Sequence, residues 1–413
     1  MNLKRQASYH EALDWDLIFD DHEKNDGDEK LPFHSAVLQQ RMKQFFLVSR
    51  FFCARFKPSD PPWTRIKNQL MMGVILGGCI LFLFFDSFVT FSHGLDRAPT
   101  GVVFISFNMQ ATFSGFCLIY WQKRKQLKSL FNLFVKADSG NERFKKEILS
   151  AHRRVFIRFC VMLGILFWMI AQFVVGAIFD WRPHMANEEK HFVEGSQIFV
   201  RSFFCSIAFA LHYIVMHLYV MLATGVFWEM KAFNWMLAKL SDEKHDFKVS
   251  LKEVILKHAR LTKTIVQLNR IFSIYAFYMV STTVPTFLFS LITIARRATL
   301  FEAFLTVPSL IFCTYGYYSW TVVPAKLHEE IYKSKSLLCM NERIWESEDR
   351  EVMAIARTLA IHLDQPDLGI SLWGFTMVSK PLILTTLSVL LTFWAFLIEF
   401  NKRPSDRDKD CST

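Results

Sequence analysis

Long apolar runs alternate with polar stretches along this sequence. Seven runs contain about 20 mostly apolar residues, which is the length that a helix needs to cross a bilayer. These predicted spans one to seven cover residues 70–91, 101–121, 155–179, 196–224, 271–295, 303–323 and 381–400. Because helices of soluble cores rarely reach this length, the pattern predicts an all-α membrane protein with seven transmembrane helices.

The polar segments between the spans alternate in length and in charge. Residues 1–69, 122–154, 225–270 and 324–380 carry 37 Lys and Arg, and the segments on the opposite side carry nine. Lys and Arg are concentrated in cytoplasmic loops of membrane proteins. The asymmetry therefore predicts a cytoplasmic amino terminus, and seven crossings then place the carboxyl terminus outside. We expect a multi-pass protein of the plasma membrane.

The same alternation divides the chain into regions. Residues 1–69 are predicted to form a cytoplasmic amino-terminal segment, residues 70–400 the seven-span domain and residues 401–413 an extracellular tail. Apolar positions recur at helical spacing in 225–270 and 324–380, which indicates helices that continue past the bilayer. Their apolar stripes must be buried, either within a cytoplasmic bundle or between subunits.

Composition narrows the range of functions. The chain has 413 residues, 52% of them apolar, and a net charge of +10. The basic residues are spread over four segments and form no compact patch interleaved with aromatics, so we expect no nucleic-acid partner.

The eight cysteines form no CxxC pair, and His328-Glu329-Glu330 lacks a second His at metal spacing. We therefore expect no metal or cofactor. Because no phosphate loop, catalytic triad or carboxylate pair is recognisable, we do not expect an enzyme.

The last span carries a polar stripe. Spacings of three and four place one set of residues on one helix face: Thr385, Ser388, Thr392, Phe396, Glu399 and Arg403. Hydroxyls bonded back to their own helix, or close packing between helices, could explain the stripe. Alternatively, it lines a water-filled pore built from several subunits. Phe396 would then form a hydrophobic constriction, and Glu399 an acidic ring that favours cations. Arg403 could pair with Glu399 at i+4.

The end of this span resembles a known signature. Residues 392–400 read Thr-Phe-Trp-Ala-Phe-Leu-Ile-Glu-Phe, similar to the Thr-Tyr-(five apolar)-Gln-Phe motif that ends insect gustatory receptors. Phe393 replaces Tyr, Glu399 replaces Gln, and Thr392 and Phe400 match. Gly374-Phe375 precedes Thr392 by the distance usual in that family. The layout is also similar to the insect chemoreceptor superfamily. The two departures are also compatible with a divergent branch, such as the gustatory-receptor-like proteins of nematodes or other non-insect animals.

The resemblance implies a function. The family's proteins are ligand-gated, non-selective cation channels that act in taste and related sensory transduction. They assemble as homo- or hetero-tetramers in membrane lipids, with the seventh helices around a central pore for permeating cations. The inner parts of helices four to seven form a shared cytoplasmic anchor, to which 324–380 would belong.

The resemblance also implies a pocket for a small-molecule ligand among helices two to six. The candidate lining residues are Phe104, Phe107, Trp168, Gln172, Arg201, His212, Tyr278, Thr282 and Phe289. An aromatic pocket with few polar groups suits small organic ligands. Ordinary packing is the competing interpretation for the aromatics of a Phe-rich chain. Arg201 would need a partner inside the membrane, or would reach the outer surface.

Other functions remain open from the sequence. A seven-helix receptor without its own pore could sense light or peroxide, and the 11 Trp residues are compatible with this. A transporter is a third hypothesis, although it should show inverted repeats, which are not recognisable here. The predicted orientation argues against a G-protein-coupled receptor, because that class has seven spans with the amino terminus outside the cell.

Overall fold

The computed structural model describes residues 31–51, 61–92, 98–140, 142–178, 197–240, 247–295 and 300–401. Eleven α-helices lie in these ranges, and a 3₁₀ helix (Glu142–Phe144) precedes the fifth of them. The α-helices are α1 (Phe33–Phe51), α2 (Pro62–Ser92), α3 (Ala98–Lys123), α4 (Gln126–Ala137), α5 (Lys145–Ile178), α6 (Gln197–Lys239), α7 (Phe247–Ala295), α8 (Leu300–Cys339), α9 (Glu342–Trp345), α10 (Arg350–Leu363) and α11 (Lys380–Asn401).

Each predicted span lies on one long helix. Spans one to seven correspond in order to α2, α3, α5, α6, α7, α8 and α11. Within the described ranges, five helices are long and apolar enough to cross a bilayer: Pro62–Ser92, Gly101–Lys123, Glu142–Ala171, Ser202–Lys239 and Lys248–Ala295. The apolar part of α11, Lys380–Phe396, is shorter. The all-helical membrane fold predicted from the sequence is confirmed.

Helix α6 is the central element of the fold. Its apolar residues surround the helix, and Leu211, Val215 and Ala223 are fully buried. A helix that is apolar on every side is stable when other helices cover it, and α3, α5 and α8 pack against α6. Helix α2 differs, because Leu81 and Phe84 are about 70% exposed on its outer face. That face is suited to lipid.

Short amphipathic helices pack on the parts of α5 to α8 beyond the spans. In α4, one face with Leu127, Leu130 and Phe134 is buried. Helix α10 begins with an N-cap at Asp349, whose side chain accepts a hydrogen bond from the backbone N–H of Glu351. Hydrogen bonds from Lys248 and Lys252 of α7 hold the pKa of Glu351 below its ordinary value. Helices α1 and α4 were not predicted from the sequence.

A two-stranded hairpin connects α10 to α11. Strands β1 (Ser371–Leu372) and β2 (Thr376–Met377) pair antiparallel, and the turn contains Gly374 at φ 79°. The backbone N–H and the hydroxyl of Ser371 donate to Oδ1 of Asn269 on α7, at 2.8 and 3.0 Å. Lys380 Nζ lies 2.6 Å from Glu329 Oε1 on α8. The start of α11 is therefore held against both α7 and α8. The hairpin was not expected, since the sequence indicated only helices there.

Candidate functional site

The polar stripe of α11 points away from the rest of its own subunit. Five of its six predicted members are exposed: Thr385, Ser388, Thr392, Phe396 and Glu399. The sixth, Arg403, lies outside the described residues, so its pairing with Glu399 stays a prediction. The hydroxyl of Thr392 donates to the backbone oxygen of Ser388 at 3.0 Å. One hydroxyl of the stripe is thus satisfied within its own helix, as the first interpretation of the stripe expected.

A different face of α11 packs on the subunit. Leu390 is buried, and Leu382 and Ile383 pack against a small apolar cluster that includes Ala276 of α7 and Ala325 of α8. On an ideal helix this face is turned by more than 90° from the polar stripe. The remaining surface of α11 is apolar and exposed in the single chain, with Leu384, Leu387, Leu391, Phe393 and Trp394. The motif residue Phe400 is helical, and its side chain is outside the described set.

The candidate ligand residues fall into separate groups. Phe107 of α3 lies in an aromatic cluster with Phe209 of α6 and Phe312 of α8, at ring distances of 6.2 and 6.4 Å. Tyr213 stacks on Phe312 at 5.2 Å. Phe104 lies one turn before Phe107 and is half-buried. This aromatic cluster joins three of the helices that the pocket prediction named.

A second group lies between α3 and α7. Tyr278 stacks on Phe113 with ring centroids 4.0 Å apart. The side-chain amide of Gln110 donates to the hydroxyls of Thr282 and Thr283, at 3.0 and 3.2 Å. Thr282 and Tyr278 therefore share one contact region, which does not include Phe107.

Of the other predicted positions, His212 adjoins the aromatic cluster, since its ring contacts that of Tyr213 with centroids 5.5 Å apart. His212 is buried, and its Nδ1 lies 2.8 Å from Ser114 Oγ. Trp168 of α5 and Phe289 of α7 are half-buried. The side chains of Gln172 and Arg201 lie outside the described set, so no partner can be assigned to Arg201.

Sequence reasoning missed several residues at these sites. Phe113, Phe209, Tyr213 and Phe312 complete the aromatic contacts, and Gln110 supplies the interhelical hydrogen bonds. Gln110 could have been found, because an amide in an apolar span needs a partner inside the protein. The aromatic residues give no comparable signal in a chain with 43 Phe. Within the described ranges, no three His, Cys, Asp or Glu side chains are grouped so that they could hold a metal ion.

The long apolar helices and their packing define a multi-pass helical membrane protein. A family model described as the 7tm chemosensory receptor matches residues 46–403, and the chain belongs to this family. The resemblance to the insect chemoreceptor superfamily is therefore confirmed.

Solved structures show a similar fold. The insect olfactory receptor OR5 from Machilis hrabei in complex with eugenol has 15% sequence identity and a TM-score of 0.68. The alignment covers 89% of this chain and 100% of OR5. A second structure of the same receptor has the same identity and coverage, with a TM-score of 0.69. No curated protein matches the sequence.

Proposed function

We propose that this chemosensory receptor is a subunit of a ligand-gated, non-selective cation channel of the gustatory type. In the plasma membrane, with the amino terminus in the cytoplasm, four copies surround an axis and their α11 helices line the pore. One observation carries the proposal: the polar stripe of α11 is exposed, on a different face from the one that packs on its own subunit.

The chemistry of the stripe suits water more than lipid. A hydroxyl can bond back to its helix, as Thr392 does with the backbone oxygen of Ser388, and such a group tolerates lipid. A carboxylate has no such option, and lipid offers it no partner. Glu399 is exposed on the same face near the carboxyl end of α11. A ring of these carboxylates at the outer mouth would attract cations. Phe396, which is 55% exposed, would form the apolar constriction one turn further in.

Cysteine accessibility tests the pore assignment. We expect Ser388→Cys and Thr392→Cys channels to lose current when a water-soluble, positively charged thiol reagent is applied in the open state. Leu391→Cys is the matched control, because Leu391 is 64% exposed in the single chain but lies about 100° from Thr392 around the helix. Wild-type channels show the effect of the reagent on native cysteines. Equal modification at all three positions, or a stable monomer in detergent, would contradict a central pore.

The proposed ligands are small organic molecules that bind in the outer half of the subunit. The aromatic cluster around Phe107 supports this class, and the similar receptor OR5 was solved with eugenol. Eugenol is therefore the first probe. We expect Phe107→Leu to raise the half-maximal concentration about tenfold, which corresponds to about 1.4 kcal/mol. Phe84→Leu, on the exposed face of α2, should leave it unchanged. If eugenol does not activate the wild-type protein, eugenol is excluded as a ligand. The cysteine experiment would still test the pore assignment.

A further inference from the structure

An arginine lies inside the apolar part of α5. Arg158 is the fourth residue of predicted span three, and its side chain is half-buried. Its guanidinium carbon lies 5.5 Å from the ring centroid of Tyr318 on α8. Tyr318 is 39% exposed. The structure therefore presents a cation on an aromatic ring at an open boundary between α5 and α8.

In the described part of the chain, no carboxylate forms an ion pair with Arg158. The acidic residue of α5, Glu147, lies eleven positions earlier, roughly 16 Å along the helix axis. On α8, Glu329 contacts Lys380 and Glu330 contacts Asn234. A cation within a membrane span is stable when an anion or a polar group compensates it. The stacking on Tyr318 meets only part of that requirement.

The neighbouring polar groups of the boundary are already satisfied. Nε2 of His217 on α6 lies 2.8 Å from the hydroxyl of Tyr315, one turn before Tyr318 on α8. The ring of His217 also contacts Phe159 at 5.1 Å. These aromatic side chains already have partners within the protein. Arg158 is therefore the charged group at this boundary that remains to be compensated.

The pair lies within side-chain reach of the headgroup region of the bilayer, because a long Arg side chain can extend from an apolar span toward the interface. Arg158 and Tyr318 lie three and five residues inside the predicted ends of their spans, or roughly 4–8 Å. Arg154 is exposed one turn earlier on the same side of α5. The charge asymmetry of the loops assigns these ends to the cytoplasmic side, where the leaflet contains anionic lipids.

We propose that Arg158 and Tyr318 form a binding site for an anionic phospholipid of the cytoplasmic leaflet. The planar guanidinium binds the lipid phosphate through two N–H groups, a geometry that Lys cannot reproduce. Arg154 adds a second positive charge near the headgroup, and this favours a lipid with net negative charge over a zwitterionic one. The site rests on the proposed orientation of the chain and is independent of ion conduction.

Lipid retention tests the site directly. Purified protein is reconstituted with equal amounts of phosphatidylserine and phosphatidylcholine, extracted gently, and its bound lipids are quantified by native mass spectrometry. We expect the wild type to retain phosphatidylserine preferentially and Arg158→Gln to retain about fivefold less, a difference near 1 kcal/mol. Arg158→Lys should be intermediate, because it keeps the charge without the planar fork. Arg357→Gln, an exposed position on α10 away from the spans, is the charge-matched control.

Several results would overturn the proposal. They are unchanged retention in Arg158→Gln, an equal loss in Arg357→Gln, or equal retention of both lipids by the wild type. Displacement of the lipid by inorganic phosphate would assign the site to a soluble anion instead. If Arg158→Gln does not fold, Tyr318→Leu removes the stacking ring and leaves the cation. We expect it to retain about twofold less phosphatidylserine, and unchanged retention would again contradict the site.

Discussion

Nδ1 of His34 lies 2.7 Å from Oε1 of Glu229, and this buried contact joins α1 to the part of α6 beyond span four. The other carboxylate oxygen of Glu229 accepts from the backbone N–H and the hydroxyl of Ser139, at 3.0 and 3.1 Å. Lys257 Nζ lies 3.4 Å from it. Nε2 of His34 is 3.2 Å from Nε2 of His152. One carboxylate thus connects α1, the α4–α5 loop, α6 and α7.

We predict that Glu229→Gln weakens the attachment of α1. The amide keeps the shape but loses the charge that strengthens these hydrogen bonds, and each hydrogen bond to a charged group contributes about 1.5–3 kcal/mol. We expect a lower melting temperature in detergent and faster hydrogen exchange over α1. Glu253→Gln makes the same charge change on an exposed part of α7 and should have no effect. Unchanged exchange over α1 in Glu229→Gln would show that the apolar contacts of α1 hold it without the carboxylate.

A second prediction concerns the hydrogen bonds between α3 and α7. Gln110→Leu removes both donors to Thr282 and Thr283. Interhelical hydrogen bonds in membranes contribute about 0.6 kcal/mol on average and up to about 1.7, so we expect a loss of about 1–2 kcal/mol in unfolding free energy. The measurement is denaturant unfolding in mixed micelles. Thr314→Val is the control, because that exposed hydroxyl bonds to its own helix. Equal effects of the two variants would argue against a special role for the α3–α7 contact.

Gly374 in the hairpin provides a third prediction. Its φ of 79° lies in the left-handed region, which costs an L-residue roughly 1–2 kcal/mol. A Cβ atom added at Gly374 would meet open space out to 4 Å, so the penalty of Gly374→Ala should be conformational. Gly374→Asn should be milder, because Asn tolerates this region. Gly164→Ala, a helical site with open space, should be neutral or slightly stabilising. Thermal melting would compare the three variants, and identical melting temperatures would show that the turn relaxes.

The spans could be predicted because length and apolarity are local properties of a sequence. Each run of about 20 apolar residues predicts a transmembrane helix without reference to the rest of the chain, and the charge of each loop predicts the side of the membrane on which the loop lies. The face of α11 was also predictable, since Thr385, Ser388 and Thr392 follow helical spacing. Both the spans and the polar face of α11 can be predicted without knowing which helices pack against them.

Contacts between distant segments were not predictable. His34 and Glu229 are 195 positions apart, and nothing near either residue indicates the other. In the same way, Phe107 contacts Phe209 and Phe312 because of how α3, α6 and α8 cross. That geometry depends on packing over whole helix surfaces. The sequence therefore gives candidate ligand residues by type but does not show which of them lie together.

The last prediction concerns Glu399 as a ring of charges at a pore mouth. If four copies of α11 surround the pore, Glu399→Gln removes four negative charges from one place, and the local concentration of cations falls. We expect inward single-channel conductance to fall about twofold at low ionic strength. The difference should shrink as salt rises, because the Debye length falls from about 30 Å at 0.01 M to 3 Å at 1 M. Glu348→Gln, an exposed carboxylate between α9 and α10, should leave conductance unchanged. A loss that is independent of salt would mean that Glu399 supports the helix structure, and no loss would place Glu399 away from the permeation path.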